Sequence, residues 1–308
     1  IDGEIEPLVA KPAGRQVINW DEEGDNFQSI YGAPNEGNNG WRTAVDRWAQ
    51  AAAASGATTL MPTVVIYSFA LYPSRHNVTF SKPDADVLRR ILLAAEARGL
   101  RVLPELHPRA DELTFPFTSL PDPKPNVLIS KDGTTNYYEG EGKKRNVPPH
   151  FNPLHPHNQK WYLDMIGELV DTYKDSPALS GVSLRLMQWT NPTLNNFHSL
   201  DWGYDDYTVN LFARETGTAL PVPLASQPGQ EGKHARARYA WLMANAREAW
   251  IDWRCRKIAE LYTRVRDRVR QARPDLQIYS TVFDWTPASD RTSLREAGID
   301  LALLSKID

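Results

Sequence analysis

The chain has only one cysteine among its 308 residues and no apolar run near the ~20 residues needed to span a bilayer. One cysteine excludes an internal disulfide framework and a cysteine-based zinc cluster. The net charge of −3 gives no general attraction to nucleic acid or to an anionic membrane. We therefore expect neither as a partner. Cys255 itself lies in a helical run, which favours a packed thiol over a nucleophile.

Motifs that hold a cofactor or a metal are also missing. The Gly140-Glu-Gly142 segment lacks the strand–loop–helix context of a phosphate loop, and no Gly-x-Ser-x-Gly nucleophile elbow occurs. His150, His155 and His157 are interrupted by prolines and lack the helical His-x-x-x-His spacing of a zinc site. We therefore expect no cofactor and no metal.

What the sequence does contain is a repeated unit of helix, glycine and β-rich run. The helical stripe that begins at Trp41 ends near Gly56, and a near-continuous apolar run follows it, as in a strand buried on both faces. The same order recurs around Gly99 and Gly298. A long helical region over 233–273 predicts a bend or a break. The strands predicted in this way are 16–20, 58–67, 100–106, 181–187, 277–283 and 299–304.

Alternating strands and helices predict an α/β fold with parallel strands and right-handed crossovers. Barrels of this kind run to about this length as one domain, so we expect a single domain over 1–308. Six strands are two short of a closed (β/α)8 TIM-type barrel. We favour an incomplete barrel, with further units beyond Asp308 and possible additional domains, over an open doubly wound sheet. The Pro/Gly-rich stretch 112–149 is a long insertion after the third strand.

Two segments resemble known carbohydrate-active barrels. The first consists of Gly56-Ala-Thr-Thr-Leu and of Asp84 to Leu106, with the run Ala-Arg-Gly-Leu-Arg-Val-Leu-Pro-Glu105, and it resembles the second and third βα units of retaining glycoside hydrolases. The segment Trp202-Gly-Tyr-Asp-Asp-Tyr to Glu-Thr-Gly217 is similar to the one after strand four in bacterial "family 10 glycosylhydrolase" proteins and family 42 β-galactosidases. The resemblance implies a glycoside hydrolase of oligo- or polysaccharides, with a carbohydrate substrate. Many such barrels carry an Asn-Glu pair where this chain reads Arg185 to Asn191 without a carboxylate.

Glycoside hydrolysis uses two carboxyl groups, which in a barrel stand at the C-terminal ends of strands. Glu105 near the end of the third strand and Asp284 at the end of the fifth are our catalytic candidates. Asp205 and Asp206 precede an amphipathic helix, so capping is the favoured interpretation for Asp205. Asp21 and Glu22 follow the first strand and are within reach of the barrel mouth, but an acidic surface loop is the favoured interpretation.

Seven further residues are candidates for substrate binding because they lie on or beside the strand ends. His107 shares a strand face with Glu105, and the buried Arg185 requires an acidic partner, for which Glu105 is the candidate. The complete set is Tyr67, His107, Arg185, Trp189, Asn191, Trp202 and Trp285.

Two other functional hypotheses remain beside the hydrolase. The missing Asn-Glu pair fits a carbohydrate-binding barrel without catalysis. A metal-dependent lyase or isomerase would be indicated by a metal on Glu105, His107 and Asp284. The chain begins at Ile1 without a methionine or a signal peptide, and we take removal of an upstream segment from a secreted or periplasmic bacterial protein as a working hypothesis.

Overall fold

The computed structural model describes residues 16–24, 26–32, 40–79, 85–108, 126–135, 137–140, 143–147, 151–187, 194–223, 226, 230–283 and 291–307. Within them the elements follow one another as β1 (Ile18–Asp21), α1 (Asn26–Tyr31), α2 (Gly40–Ala54), β2 (Thr59–Tyr67), β3 (Phe69–Ala70), β4 (Val78–Thr79), α3 (Val87–Glu96), β5 (Arg101–Val102), β6 (Glu105–Pro108), β7 (Tyr137–Gly140), β8 (Lys143–Val147), α4 (Pro156–Tyr173), β9 (Gly181–Met187), α5 (Asp206–Thr216), α6 (Glu231–Asn245), α7 (Arg247–Ala272), β10 (Gln277–Phe283), α8 (Arg291–Glu296) and α9 (Leu301–Leu304).

The chain divides into two compact units, and the first contains residues 1–108, 164–184 and 267–280. Its main sheet has the strand order β10-β9-β6-β2, with β1 on the other side of β2 and β5 also paired with β2. The pairs β1–β2, β2–β6 and β6–β9 are parallel. The strands thus lie side by side in chain order. A doubly wound sheet reverses its order at a switch point, so this order is that of a barrel wall.

The helices that cover this wall follow the predicted apolar stripes. Helix α2 buries Ala44, Val45, Trp48, Ala49 and Ala52, and α3 buries Val87, Leu88, Ile91, Leu92, Ala94 and Ala95. Asp86 caps α3 by accepting a hydrogen bond from the backbone N–H of Arg89. Each helix is followed by a glycine in the left-handed region, Gly56 with φ 82° and Gly99 with φ 62°. The predicted helix-and-glycine pairs at Gly56 and Gly99 are therefore confirmed.

The second unit contains residues 109–163, 185–266 and 281–308. Its core includes an aromatic cluster in which Trp250 stacks on Trp253 at 5.3 Å between ring centroids and Phe212 meets both rings edge-on. The predicted break in the long helical region is confirmed, because α6 and α7 are separated at Ala246, whose φ of −146° is not helical. Since the chain forms two units, a single domain over 1–308 stays a prediction.

The structure differs from the sequence prediction in three elements. The predicted strand over 299–304 is wrong, because Leu301–Leu304 form a helical turn whose N-cap Asp300 accepts from the N–H groups of Ala302 and Leu303. The third strand is split into β5 and β6 around Leu103 and Pro104. The insertion after β6 contains an antiparallel hairpin, β7–β8, that the sequence did not predict. In the described part of the chain, no helix combines the length and apolarity that crossing a bilayer requires.

The architecture is therefore a TIM-type α/β barrel that is incomplete. Among the described residues five strands follow one another in the barrel wall, and the wall is open.

Candidate active site

Glu105 lies at the first position of β6, in the middle of the sheet of the first unit. Glu105 is fully buried, and in the strand register it pairs with Thr63 of β2 and with Ser183 of β9. Carboxylate oxygen Oε2 accepts a hydrogen bond from the indole Nε1 of Trp20 at 3.0 Å. The same oxygen accepts one from the hydroxyl of Thr63 at 2.7 Å. Two donors, one from β1 and one from β2, thus hold one oxygen of this carboxyl group.

Strand alternation places these side chains on one face of the sheet. Asn19 accepts a hydrogen bond from Trp48 of α2 at 2.7 Å, so Asn19 faces the helices that cover the sheet. Successive side chains of a strand point to opposite faces, and Trp20 therefore faces the interior of the barrel wall. Trp20 is also 36% exposed. The sequence analysis missed Trp20 and Thr63, although Trp20 ends the first predicted strand and Thr63 is a hydroxyl in an apolar run.

Thr63 also contacts Asp21 at the end of β1. The hydroxyl of Thr63 lies 3.0 Å from the carbonyl oxygen of Asp21 as well as 2.7 Å from Glu105. The carboxylate of Asp21 accepts hydrogen bonds from the backbone N–H groups of Gly24 and Phe27. Asp21 is 4% exposed, so the prediction of a surface loop is wrong at this residue. It organises the turn that leads into α1.

His107 and Tyr67 lie beyond Glu105 at the ends of β6 and β2. Their rings are 5.1 Å apart and tilted by 58°. Tyr67, the last residue of β2, has a φ of 55°, because the chain turns through Tyr67 and Ser68 so that Phe69 of the antiparallel β3 pairs with Ile66. Such tight connections favour positive φ and glycine, and a tyrosine there is strained by roughly 1–2 kcal/mol. Backbone strain of this kind clusters at functional sites.

The remaining predicted site residues lie in the second unit or outside the described residues. Arg185 and Trp202 belong to the second unit and are 4% and 8% exposed, and the carbonyl of Arg185 accepts a hydrogen bond from Asn195. The predicted pairing of Arg185 with Glu105 stays a prediction. Four predicted residues lie outside the described residues: Trp189, Asn191, Asp284 and Trp285.

The acidic pair at the start of α5, Asp205 and Asp206, has structural partners. Asp205 is the N-cap of α5 and accepts from the backbone N–H of Thr208 at 2.9 Å and from Asn152 at 3.1 Å, which confirms the capping interpretation. Burial raises the pKa of Asp205 to about 6, against the opposing hydrogen bonds from Thr208. Burial also acts on Asp206, but hydrogen bonds from Ser226 and Arg238 outweigh it and lower the pKa of that carboxyl.

Other chemistry-bearing side chains do not add to the site. Within the described ranges, no group of three or more His, Cys, Asp and Glu side chains is placed to hold a metal ion. The rings of His155 and Tyr207 lie 5.1 Å apart between centroids. Burial lowers the pKa of His155, and the charge of the nearby His157 lowers it further. Cys255 is buried, as the helical pattern indicated, and burial raises its pKa to about 11.

Comparison with known families identifies the group to which this barrel belongs. A family model described as "Glycosyl hydrolase-like 10" matches residues 52–294. The chain therefore belongs to the glycosyl hydrolase-like 10 family. This finding confirms the resemblance to glycoside-hydrolase barrels. No curated protein sequence matches the chain.

Solved structures support the same fold at low sequence identity. The glycoside hydrolase domain of PgaB (BpsB) from Bordetella bronchiseptica superposes with a TM-score of 0.55 at 14% identity, over 96% of this chain and 72% of that domain. The catalytic domain of a β-amylase from Paenibacillus polymyxa gives 0.54 at 10% identity, over 97% and 75%. A β-galactosidase from Halorubrum lacusprofundi gives 0.50 at 14% identity, and this chain spans only 38% of its length.

Proposed function

We propose that this chain hydrolyses O-glycosidic bonds of an oligo- or polysaccharide through acid/base chemistry between carboxyl groups. The observation that carries the proposal is the position of Glu105. Its carboxyl group lies at the first residue of β6, a central strand of the barrel wall, and is held at Oε2 by two donors. Barrel enzymes place catalytic groups toward the C-terminal ends of their strands, and His107 and Tyr67 lie at the ends of β6 and β2. Membership of a glycosyl hydrolase-like family supports the reaction class.

The reaction requires a second carboxyl group across the scissile bond. The two groups stand about 5–5.5 Å apart when configuration is retained and about 6.5–9.5 Å apart when it is inverted. Asp284, at the end of the β10 segment in the sequence, remains our candidate for this partner. The rings of Tyr67 and His107 at the neighbouring strand ends are candidates for contact with sugar hydroxyls and the apolar faces of sugar rings.

A carbohydrate-binding barrel without catalysis is the second candidate, and two observations favour it. Glu105 is fully buried, so a substrate reaches it only if neighbouring side chains move. The sequence after Met187 reads Gln-Trp-Thr-Asn, without the carboxylate that many retaining barrels carry there. A barrel that binds sugar without turnover would be consistent with both observations.

A screen against aryl glycosides and polysaccharides separates the two candidates. We expect hydrolysis by the wild-type chain and a loss of about 100- to 10,000-fold in Glu105→Gln and Asp284→Asn, the range that acid/base groups contribute. Glu96→Gln is the matched control, because Glu96 is an exposed glutamate on α3 of the same unit. Sugar binding by calorimetry with no turnover by any protein would favour the binding barrel. Full activity in Glu105→Gln would remove Glu105 from the mechanism.

Tyr67 offers a separate test of substrate contact. We expect Tyr67→Gly to weaken sugar binding or raise KM while changing thermal stability little. Glycine adopts a positive φ without strain, and this gain in stability offsets the loss of the packing of the tyrosine ring. Phe69→Gly, at an exposed neighbouring position, is the control for loss of an aromatic ring. A large loss of stability with unchanged sugar binding would show that the Tyr67 ring serves packing alone.

A further inference from the structure

We infer that Glu168 of α4 is a positioning residue for Tyr67 at one side of the proposed sugar site, and that it acts through Ser74 and the short strand β4. The inference rests on the proposed function, in which the Tyr67 ring is a candidate for contact with sugars. Residues 68–79, which we call the rim segment, follow β2 and contain β3 and β4. Glu168 and the rim segment both belong to the first unit.

The backbone at Tyr67 needs support from outside its own turn. Its φ of 55° lies in the left-handed region, where a side chain other than glycine is strained. A strained residue persists only where the surrounding structure holds it. β3 and β4 have two residues each, and β3 pairs with β2 while β4 pairs with β3. Strand pairs of this length are not stable by themselves, so a contact farther along the rim segment is needed to fix them.

Glu168 anchors the rim segment where it leads into β4. Its carboxylate accepts a hydrogen bond at Oε2 from the hydroxyl of Ser74 at 2.7 Å, and one at Oε1 from the backbone N–H of Arg75 at 2.9 Å. The Glu168 side chain is only 7% exposed, so water competes little for these donors. Hydrogen bonds to a carboxylate are also stronger than those between neutral groups. One buried carboxylate thus holds the segment at two adjacent residues.

Ser74 carries this anchor to the turn that enters β4. Its hydroxyl donates its one proton to Glu168, and its Oγ accepts from the backbone N–H groups of His76 and Asn77, each at 3.1 Å. A serine that accepts from N–H groups two and three residues further on fixes the turn between them. The carboxylate of Glu168 thus sets the orientation of the Ser74 hydroxyl, and the hydroxyl sets the turn.

The same turn is joined to the residue beside Tyr67. The backbone N–H of Val78, the first residue of β4, donates to the carbonyl oxygen of Ser68 at 2.8 Å. Ser68 directly follows Tyr67 in the reversal between β2 and β3. A continuous series of hydrogen bonds therefore runs from Glu168 through Ser74 and β4 to the strained end of β2.

The ion pair between Arg75 and Glu168 is a weaker part of this arrangement and supplies a control. The guanidinium Nε lies 3.0 Å from Oε1, but the Arg75 side chain is 83% exposed. Exposed ion pairs contribute little, because water and salt screen them. Arg75→Ala keeps the backbone N–H and the Ser74 hydroxyl on Glu168, so we expect this variant to leave Tyr67 almost unchanged.

Sugar binding by variants of the anchor tests the inference. Glu168→Ala removes both hydrogen bonds and should raise KM, or the Kd of a bound sugar, by about 2- to 30-fold, the range for coupling through a hydrogen-bond network. The value of kcat should change less than about twofold, because the anchor acts on sugar binding and not on the reacting groups. Ser74→Ala removes the link by a smaller change and should give the same pattern, also if Glu168→Ala does not fold. An equal rise of KM in Arg75→Ala, or an unchanged KM in both anchor variants, would overturn the inference.

A double-mutant cycle shows whether Glu168 acts through Tyr67. In Tyr67→Gly the ring is absent and glycine adopts the positive φ without strain, so the anchor has nothing left to position. We expect Glu168→Ala to change KM by less than about twofold in that background, whereas its effect on thermal stability should remain. Equal factors in KM with and without the Tyr67 ring would assign Glu168 a structural role and contradict the inference.

Fluorine NMR covers the case in which the wild-type chain neither binds nor cleaves a sugar, a result that would reject the proposed function alone. In protein labelled with fluorotyrosine, the Tyr67 resonance is the one that Tyr67→Phe removes. We expect this resonance to shift or broaden in Glu168→Ala and in Ser74→Ala and to stay in place in Arg75→Ala. A Tyr67 resonance that is unmoved in both anchor variants would overturn the positioning role, whether or not the chain is an enzyme.

Discussion

Replacing Asp205 by Asn should remove a pH-dependent loss of stability that this buried carboxyl group causes. Asp205 is 4% exposed and caps α5. Its carboxyl oxygens also lie 2.9 Å from the hydroxyl of Thr208, and Oδ1 accepts from Asn152. Asn has an oxygen that can accept from the same N–H groups and an amide that can donate to the Thr208 hydroxyl. It therefore resembles the protonated acid in shape and hydrogen bonding but does not titrate.

The magnitude follows from the pKa of the carboxyl group. Burial raises that pKa from 3.8 to about 6, so the folded chain binds more protons at this site than the unfolded chain between about pH 4 and pH 6. The free energy of unfolding contributed by Asp205 is therefore fully present below pH 4, falls as the pH rises through this window and is flat above it. The difference between the two pKa values corresponds to ~3 kcal/mol. The stability of Asp205→Asn relative to wild type should rise by up to about that amount between pH 4 and pH 7.

Urea unfolding followed by circular dichroism at pH 4, 5, 6 and 7 measures this difference, and other titrating groups largely cancel between the two proteins. Asp205→Ala is the control, because it removes the charge and the cap together. It should be about 0.5–2 kcal/mol less stable than Asp205→Asn at every pH. A difference between Asp205→Asn and wild type that stays constant across this range would refute the reasoning, because the carboxylate would then not be desolvated.

Three further outcomes follow from the packing. Gly181→Ala places a Cβ 1.9 Å from the carbonyl oxygen of Gln277 on the neighbouring strand and should lower the free energy of unfolding in urea by about 1–3 kcal/mol. A Cβ at Gly217 meets nothing within 4 Å, so the control Gly217→Ala should lose only about 1 kcal/mol because of its φ of 70°. Arg238→Met removes a buried guanidinium that binds Asp206 and two backbone carbonyls, and should lower the free energy of unfolding by about 3 kcal/mol; an unchanged unfolding midpoint would contradict this. Cys255 should resist iodoacetamide at pH 8 until the protein is unfolded, because burial raises its pKa to about 11; rapid labelling of the native protein, measured by mass spectrometry, would show otherwise.

The sequence predicted the parts of the fold that depend on local signals. Helical stripes followed by a left-handed glycine gave α2 and α3 with their following strands, and β9 and β10 have the predicted bounds. The prediction was wrong for 299–304, because an apolar run preceded by an aspartate fits both a buried strand and a capped helix turn. Periodicity alone does not separate the two for so short a run.

The sequence analysis named Glu105, His107 and Tyr67 as site candidates but not the hydrogen-bond partners of the carboxyl group. The barrel rule singled out Glu105, which the structure places at the first residue of β6. Its partners depend on strand register, and the sequence does not specify register where no tight turn joins the paired strands. The bulge in the β2–β6 pairing after Thr63 sets which hydroxyl meets the carboxylate. The same holds for Tyr67, whose positive φ arises from a reversal into the two-residue strand β3 that is too short to recognise.

The sizes of the two donors to Glu105 match the geometry of the sheet. Thr63 is on β2, the immediate neighbour of β6, and neighbouring strands lie about 4.8 Å apart, so a short hydroxyl side chain reaches the carboxylate. Trp20 is on β1, two strands from β6 and thus about 10 Å away, and only a long side chain with a donor near its end can cross β2. A serine at position 20 could not make this bond, whereas a serine at position 63 could. The carboxylate is therefore fixed by residues that the strand order β6-β2-β1 requires to be unequal in length, which is why Trp20 and Thr63 should respond differently to conservative substitution.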